Sequence, residues 1–174
     1  MTDLEKLKYP IGKYTKPENV THEMIQDYIS IIESFTQKIT KEVMSLSNEQ
    51  LQYTYRPGGW TIRQLVHHCA DSHINAFTRF KLALTEDKPT IKPYMEALWA
   101  ELADSKTSIE PSLKMIEGTH SRWTVLLKSM SHEDFQKSFV HPEHSRVFLL
   151  EESLALYAWH CRHHLEHIRL AKGA

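Results

Sequence analysis

From Met24 to Met44 apolar residues return every three or four positions, through Ile25, Tyr28, Ile31, Ile32, Phe35, Ile39 and Val43. That is the period of one face of a helix. Thr21 is placed to cap it, Glu23 lies in the first turn, where the helix dipole favours a carboxylate, and the pattern fades near Leu46. The stretch from Tyr55 to Trp60 holds Pro57, Gly58 and Gly59 and reads as a turn. Thr61 then caps a second helix, with Gln64 completing a capping box. Its apolar stripe runs through Ile62, Leu65, Val66, Cys69, Ala70, Ala76, Phe77, Phe80 and Leu84, and Lys88 and Pro89 mark its end. Leu113, Ile116, His120, Trp123, Leu127 and Met130 predict a third helix, from Ile109 or Pro111 to Met130. A fourth is predicted from Glu151 to Ala171, with Lys172 and Gly173 as its terminus.

The intervening segments are less regular. Residues 1–20 contain Pro10, Gly12 and Pro17 and read as an extended N-terminal arm. Residues 88–108 show no clean period, and Pro89, Pro93, Tyr94, Leu98 and Trp99 suggest a long crossover packed against the helices, a length of loop that is often functional. Residues 131–150 are polar, then contain Pro142, and turn strand-like only at Val147–Leu150. The pattern predicts an all-α four-helix bundle, with a long crossover between helices two and three, and with residues 1–174 forming one domain.

A chain of 174 residues can bury roughly two thirds of its unfolded surface. Its 21 basic and 22 acidic residues leave a formal charge of −1, which excludes the basic footprint of a nucleic-acid binder. Two cysteines, Cys69 and Cys161, are too few for a disulfide scaffold and suit a reducing compartment. The N-terminus has no apolar targeting segment, and no apolar run nears the roughly 20 residues of a membrane span. These features predict a cytoplasmic protein with neither a nucleic-acid nor a membrane partner.

The outlier is histidine, at twelve residues. Histidine is the commonest metal ligand and titrates near neutrality. On helix four, His160 with His164 and His163 with His167 each form H-x-x-x-H, a spacing at which two imidazoles share a face and can converge on one cation. Leu154, Tyr157, Cys161, Leu165 and Ile168 mark the apolar direction; His164 lies beside it and His163 falls between Arg162 and Glu166. The first pair is therefore expected inside and the second outside. A catalytic zinc normally takes three protein ligands, and helix two offers His68 at the edge of its apolar stripe, while His67 is expected to point outward. Asp71, one turn from His68, is a candidate to orient an imidazole. Cys69 follows His68 directly and points about 100° away, so the two do not readily share an ion. His120 reads as a core histidine, and His22, His132, His141 and His144 as cap or loop residues.

The run from Gly58-Gly59-Trp60 through His67-His68 to His73 resembles the DinB/YfiT-like superfamily of metal-dependent hydrolases, in its YfiT branch. The resemblance extends from Tyr9–Gly12 through Arg79–Glu86, Ile91–Tyr94 and Arg122–Trp123 to Leu156–His160. It implies a four-helix bundle, usually homodimeric, with one divalent metal held by three histidines, matched here by His68, His160 and His164. It also implies kinship with thiol transferases that use bacillithiol. Cys69 stands where the family has an aliphatic residue, and Leu165–Glu166 departs from the Arg-Gly that often follows the last ligand.

Three neutral imidazoles leave the ion's charge undiminished, so a divalent cation there is a strong Lewis acid that activates water. Zinc is the expected ion and nickel a second fit. The functional expectation is a metal-dependent hydrolase acting on a small molecule. The rivals are a thiol S-transferase using a low-molecular-weight thiol, a non-catalytic stress-related binding module stabilised by its metal, and a plain bundle with incidental histidines. Arg79, Lys81, Tyr94, Trp99 and Arg122 are candidates to line the pocket.

Overall fold

The computed structural model describes residues 2–144 and 146–173, with His144 described by its backbone alone. Four long helices form the bundle: α2 (His22–Val43), α3 (Ile62–Thr85), α5 (Glu110–Ser129) and α7 (Leu150–Lys172). Each begins within two residues of its expected start, and for α2 and α3 the caps are where the sequence placed them. Thr21 accepts from the Met24 amide, and Thr61 and Gln64 form the complete capping box.

The helices do not pack in chain order. α2 lies against α5 and α7, and α3 lies against the same two, so the ring around the bundle runs α2–α5–α3–α7. The connections 44–61 and 130–149 cross the diagonal, while the long segment 86–109 joins neighbours. The core follows from the stripes: Ile32, Phe35, Ile39, Ile62, Leu65, Phe80, Ile116 and Trp123 have no accessible surface. Burying each such side chain contributes roughly 1.5–3 kcal/mol.

Three features correct the sequence expectation. The N-terminal arm is not extended throughout: Asp3–Lys8 form a helix, α1, capped by Thr2. Acidic Asp3 and Glu5 open it and basic Lys6 and Lys8 close it, an order that suits the helix dipole. Beyond it the arm is tied to α7, where Trp159 Nε1 donates to the Gly12 carbonyl at 3.2 Å and the Tyr14 hydroxyl to the Glu152 carbonyl at 3.3 Å. Glu152 itself is 2% exposed and pairs with Lys16 and Arg146.

Second, the polar segment before α7 holds a short helix α6 (His132–Phe135) and a β-hairpin, β1 (Ser138–His141) with β2 (Arg146–Leu149), Phe139 facing Phe148 in register. Only β2 has a strand-like run in the sequence; β1 is four residues long, and its Phe139 is buried by tertiary contact. Third, the segment 86–109 carries a short helix α4 (Glu96–Trp99) and is strapped to the hairpin, the Ile91 amide donating to the Val140 carbonyl and the Val140 amide to the Pro89 carbonyl. No described helix is long and apolar enough to cross a membrane.

Trp123 is fully buried and meets Phe80 and Tyr157 edge-on at 5.3 and 5.6 Å. Trp123→Ala is expected to lower unfolding stability by about 3–5 kcal/mol. Val125→Ala, two residues along the same helix at 70% exposure, is expected to change it by less than about 0.5 kcal/mol. Urea unfolding of both variants checks the pair.

Candidate metal centre

The α3 stripe turns His68 toward the bundle beside Leu65, and on α7 the i, i+4 spacing stacks His160 and His164 on the face toward α3. The three rings meet. His160 Nε2 lies 3.2 Å from His68 Nε2 and 3.1 Å from His164 Nε2. For zinc–nitrogen bonds of about 2.0–2.1 Å, two ligands of a tetrahedral ion lie roughly 3.3 Å apart, so the spacing fits a shared cation. His68 and His164 are buried and His160 half-buried. Desolvation lowers the His68 ring to about 4 and holds His160 and His164 well below the ordinary histidine range. All three rings are therefore neutral at neutral pH, with lone pairs available to a cation.

The expected inside pair is inside. The expected outside pair is not outside: His163 and His167 are 7% and 2% exposed. Tyr55 stacks on His167 at 3.8 Å and Trp159 on His163 at 4.3 Å. The His167 Nε2 meets the Lys8 carbonyl at 3.1 Å, so the arm and the turn before α3 cover this face. His67 is also buried, its Nδ1 2.8 Å from Ser112 Oγ on α5. A helical wheel shows a residue's direction on its own helix and not what a distant segment lays over it. Asp71 is not brought to His68; it is half-buried, and desolvation, then Asp104, raises its carboxyl to about 6. His120 is a core histidine as expected, 1% exposed. His22 and His132 are exposed. His141, taken as a loop residue, is buried at the end of β1, and the side chain of His144 lies outside the described residues.

Two further groups bring three potential ligands within 4.8 Å: His73, His120 and Cys161, and His163, His164 and His167. Both cysteines are buried and free, and burial pushes their thiols upward, away from the thiolate a metal needs.

The three-histidine group lies between two cavities. One, of about 540 Å³, is lined by His160 with Ser72, Arg79, Tyr94, Glu96, His141 and Tyr157. The other, of about 440 Å³, is lined by His164 with Lys8, Arg56, Trp60 and Glu96. Of the pocket candidates, Arg79 and Tyr94 reach the larger cavity. Trp99 instead packs on Tyr94 at 4.5 Å, and Lys81 and Arg122 lie over the Phe77 ring. Glu96 lines both cavities and carries no periodicity signal, since it stands in the irregular segment; desolvation and then Glu143 raise its carboxyl.

Three histidines converging from facing helices make this a bundle of the kind that builds metal sites in its core. The chain belongs to the DinB superfamily, whose profile matches residues 32–168. It is 50% identical over 165 residues, 95% of each chain, to a protein of Bacillus cereus named "Putative metal-dependent hydrolase", and equally to one of Bacillus thuringiensis named the same way. Among solved structures it resembles YfiT from Bacillus subtilis, described as a probable metal-dependent hydrolase with an unusual four-helix bundle topology. The TM-score is 0.93 and the identity 43%, over 97% of both chains. It shares its fold with a mycothiol-dependent maleylpyruvate isomerase at TM-score 0.66 and 16% identity, over 83% of this chain and 60% of that one.

Burial holds His68, His120 and His167 at about 4 and His163 at about 3, against an ordinary 6.5. Between pH 6.5 and about 4 the unfolded chain binds protons that the folded chain refuses, so stability falls as pH drops through that window and is level above it. Each group adds a slope of up to about 1.4 kcal/mol per pH unit. Urea midpoints of metal-free protein across this range measure it.

Proposed function

We propose that this chain is a metal-dependent hydrolase of a small molecule, with one divalent ion held by His68, His160 and His164. The observation that carries the reading is the convergence of three neutral Nε2 atoms at 3.1–3.2 Å between open cavities. A divalent cation held there supplies Lewis acidity at its full charge. The protein supplies the rest. Arg79 gives the larger cavity a fixed positive charge, suited to an oxyanion or carboxylate of the substrate. Tyr94 and Tyr157 give it aromatic walls, and the Tyr157 hydroxyl is held at 3.3 Å from the Ser72 carbonyl. Glu96, its carboxyl raised by desolvation and then by Glu143, faces both cavities and is placed to take and return a proton. Three protein ligands beside cavities support catalysis over a purely structural ion, which would be closed by a fourth.

One observation supports a second reading, thiol transfer. The ligand group borders two cavities, one on the His160 side and one on the His164 side, which is room for a thiol and an electrophile together. Zinc as the resident ion, a homodimer and a cytoplasmic location complete the proposal.

Metal analysis of the purified protein is expected to give one ion per chain, and His68→Ala, His160→Ala and His164→Ala each to lose it; stoichiometric metal retained in all three overturns the site. Chelator-stripped protein is expected to lose turnover of a panel of esters and amides and to regain it with added zinc. Glu96→Gln is expected to keep the metal and lower kcat about 100-fold. Turnover of an electrophile only when a low-molecular-weight thiol is present selects the transferase reading.

A further inference from the structure

The metal reading uses three histidines and leaves two others, His73 and His120, fully buried beside them with no task. Their nitrogens are joined in a line. His120 Nδ1 is 2.7 Å from the Ile32 carbonyl of α2, His120 Nε2 is 2.7 Å from His73 Nδ1, and His73 Nε2 is 3.0 Å from His160 Nδ1. At 2.7 Å the His73 and His120 nitrogens are closer than two ligands of one zinc, roughly 3.3 Å apart, and at the length of a hydrogen bond. They form a relay, not a second ion site.

The direction of the line is fixed at one end. A carbonyl oxygen only accepts, so His120 Nδ1 carries the proton. A neutral imidazole has a single N–H, so His120 Nε2 is a lone pair and His73 Nδ1 must donate to it. The same step makes His73 Nε2 the acceptor and His160 Nδ1 the donor, and His160 Nε2 is left as a bare lone pair. A second line has the same sense. The Lys8 carbonyl takes the His167 Nε2–H at 3.1 Å, leaving His167 Nδ1 to accept from His164 Nδ1 at 3.4 Å, which bares His164 Nε2. The two bared nitrogens face each other at 3.1 Å with no proton between them. Two lone pairs at that distance repel, and a cation between them converts the repulsion into two bonds.

We propose that His73 and His120 are positioning residues. Anchored on the Ile32 carbonyl, they lock His160 in the Nδ1–H tautomer and so aim its Nε2 lone pair at the metal position before any metal arrives, as His167 and the Lys8 carbonyl do for His164. Metal-binding histidines commonly give their second N–H to a carboxylate, carbonyl or water; here two neutral rings relay that contact from a carbonyl on the far helix. The proposal rests on the three-histidine site.

The test begins on metal-free, 15N-histidine-labelled protein, with long-range proton–nitrogen correlation spectra taken above the histidine titration range. His73, His120 and His160 are expected as Nδ1–H tautomers and His167 as Nε2–H; an Nε2–H form of His160 or His73 overturns the proposal. Zinc affinity by chelator competition then compares His120→Phe, which keeps an aromatic ring, with His120→Gln, which keeps an acceptor and a donor. His120→Phe is expected to weaken binding about 10–100-fold, and His120→Gln to stay within about threefold of the parent. A ring that only fills space gives the reverse order and overturns the assignment. If His120→Phe does not fold, the tautomers of the parent and the affinity of His120→Gln decide. Zinc retained in the three ligand variants would sink the metal site alone, since the metal-free spectra read the tautomers independently.

Discussion

A buried imidazole must place its one N–H against an acceptor without taking up a second proton, and among the described residues eight are buried: His67, His68, His73, His120, His141, His163, His164 and His167. Charging any one inside the bundle would incur a large desolvation penalty, and leaving its N–H unmet would cost roughly 1–3 kcal/mol. The acceptors that solve the problem come from other elements. Ile32 of α2 serves His120 and Lys8 of the N-terminal helix serves His167, while the Ser112 hydroxyl of α5 bonds the Nδ1 of His67. Much of the bundle's polar interior is thus a set of contacts between helices, and the helices are held in register by it as well as by the apolar core.

The helix order makes these contacts possible. The line of hydrogen bonds runs from Ile32 on α2 to His120 on α5, to His73 on α3 and to His160 on α7. That is the order in which the helices follow one another around the bundle. Every link spans a neighbouring pair and none spans the diagonal. If α2 packed beside α3 and α5 beside α7, as in a bundle whose neighbours follow the chain, the links from Ile32 to His120 and from His73 to His160 would each have to cross the core. The diagonal connections 44–61 and 130–149 are therefore tied to the chemistry, because they set which faces meet.

What could be read from the sequence was what each helix says about itself. The three- and four-residue periods located all four bundle helices, the Thr61–Gln64 box placed the start of α3, and i, i+4 spacing together with the apolar direction of α7 picked His160 and His164. What escaped depends on a second segment. His67, His163 and His167 look outward on their own wheels and are buried because Ser112, Tyr9, Tyr55 and the Lys8 carbonyl, all from other segments, lie over them. Helix α1 was hidden by the turn-formers that follow it, although Thr2, Asp3 and Glu5 carry the capping signal. Strand β1 is four residues long and acquires its pairing from β2 and from residues 89–91. The roles of His73 and His120 needed interatomic distances, since both residues satisfy the helical pattern equally well as ordinary core.

The division of labour that results is physical. The groups that would hold the ion stand on the two long helices α3 and α7, whose backbones are fixed by their own hydrogen bonds, and the rings of His160 and His164 are oriented from behind. The groups facing the cavities come largely from the irregular segments: Tyr94 and Glu96 from the crossover, His141 and Glu143 from the hairpin, Lys8 and Arg56 from the arm and the turn before α3. Ligand geometry tolerates little error, and a rigid scaffold supplies it. Substrate walls tolerate replacement, and loops supply that. Substitutions in Tyr94–Glu96 can therefore alter what enters the cavity while leaving His68 where its helix puts it and the lone pairs of His160 and His164 where their carbonyl anchors aim them.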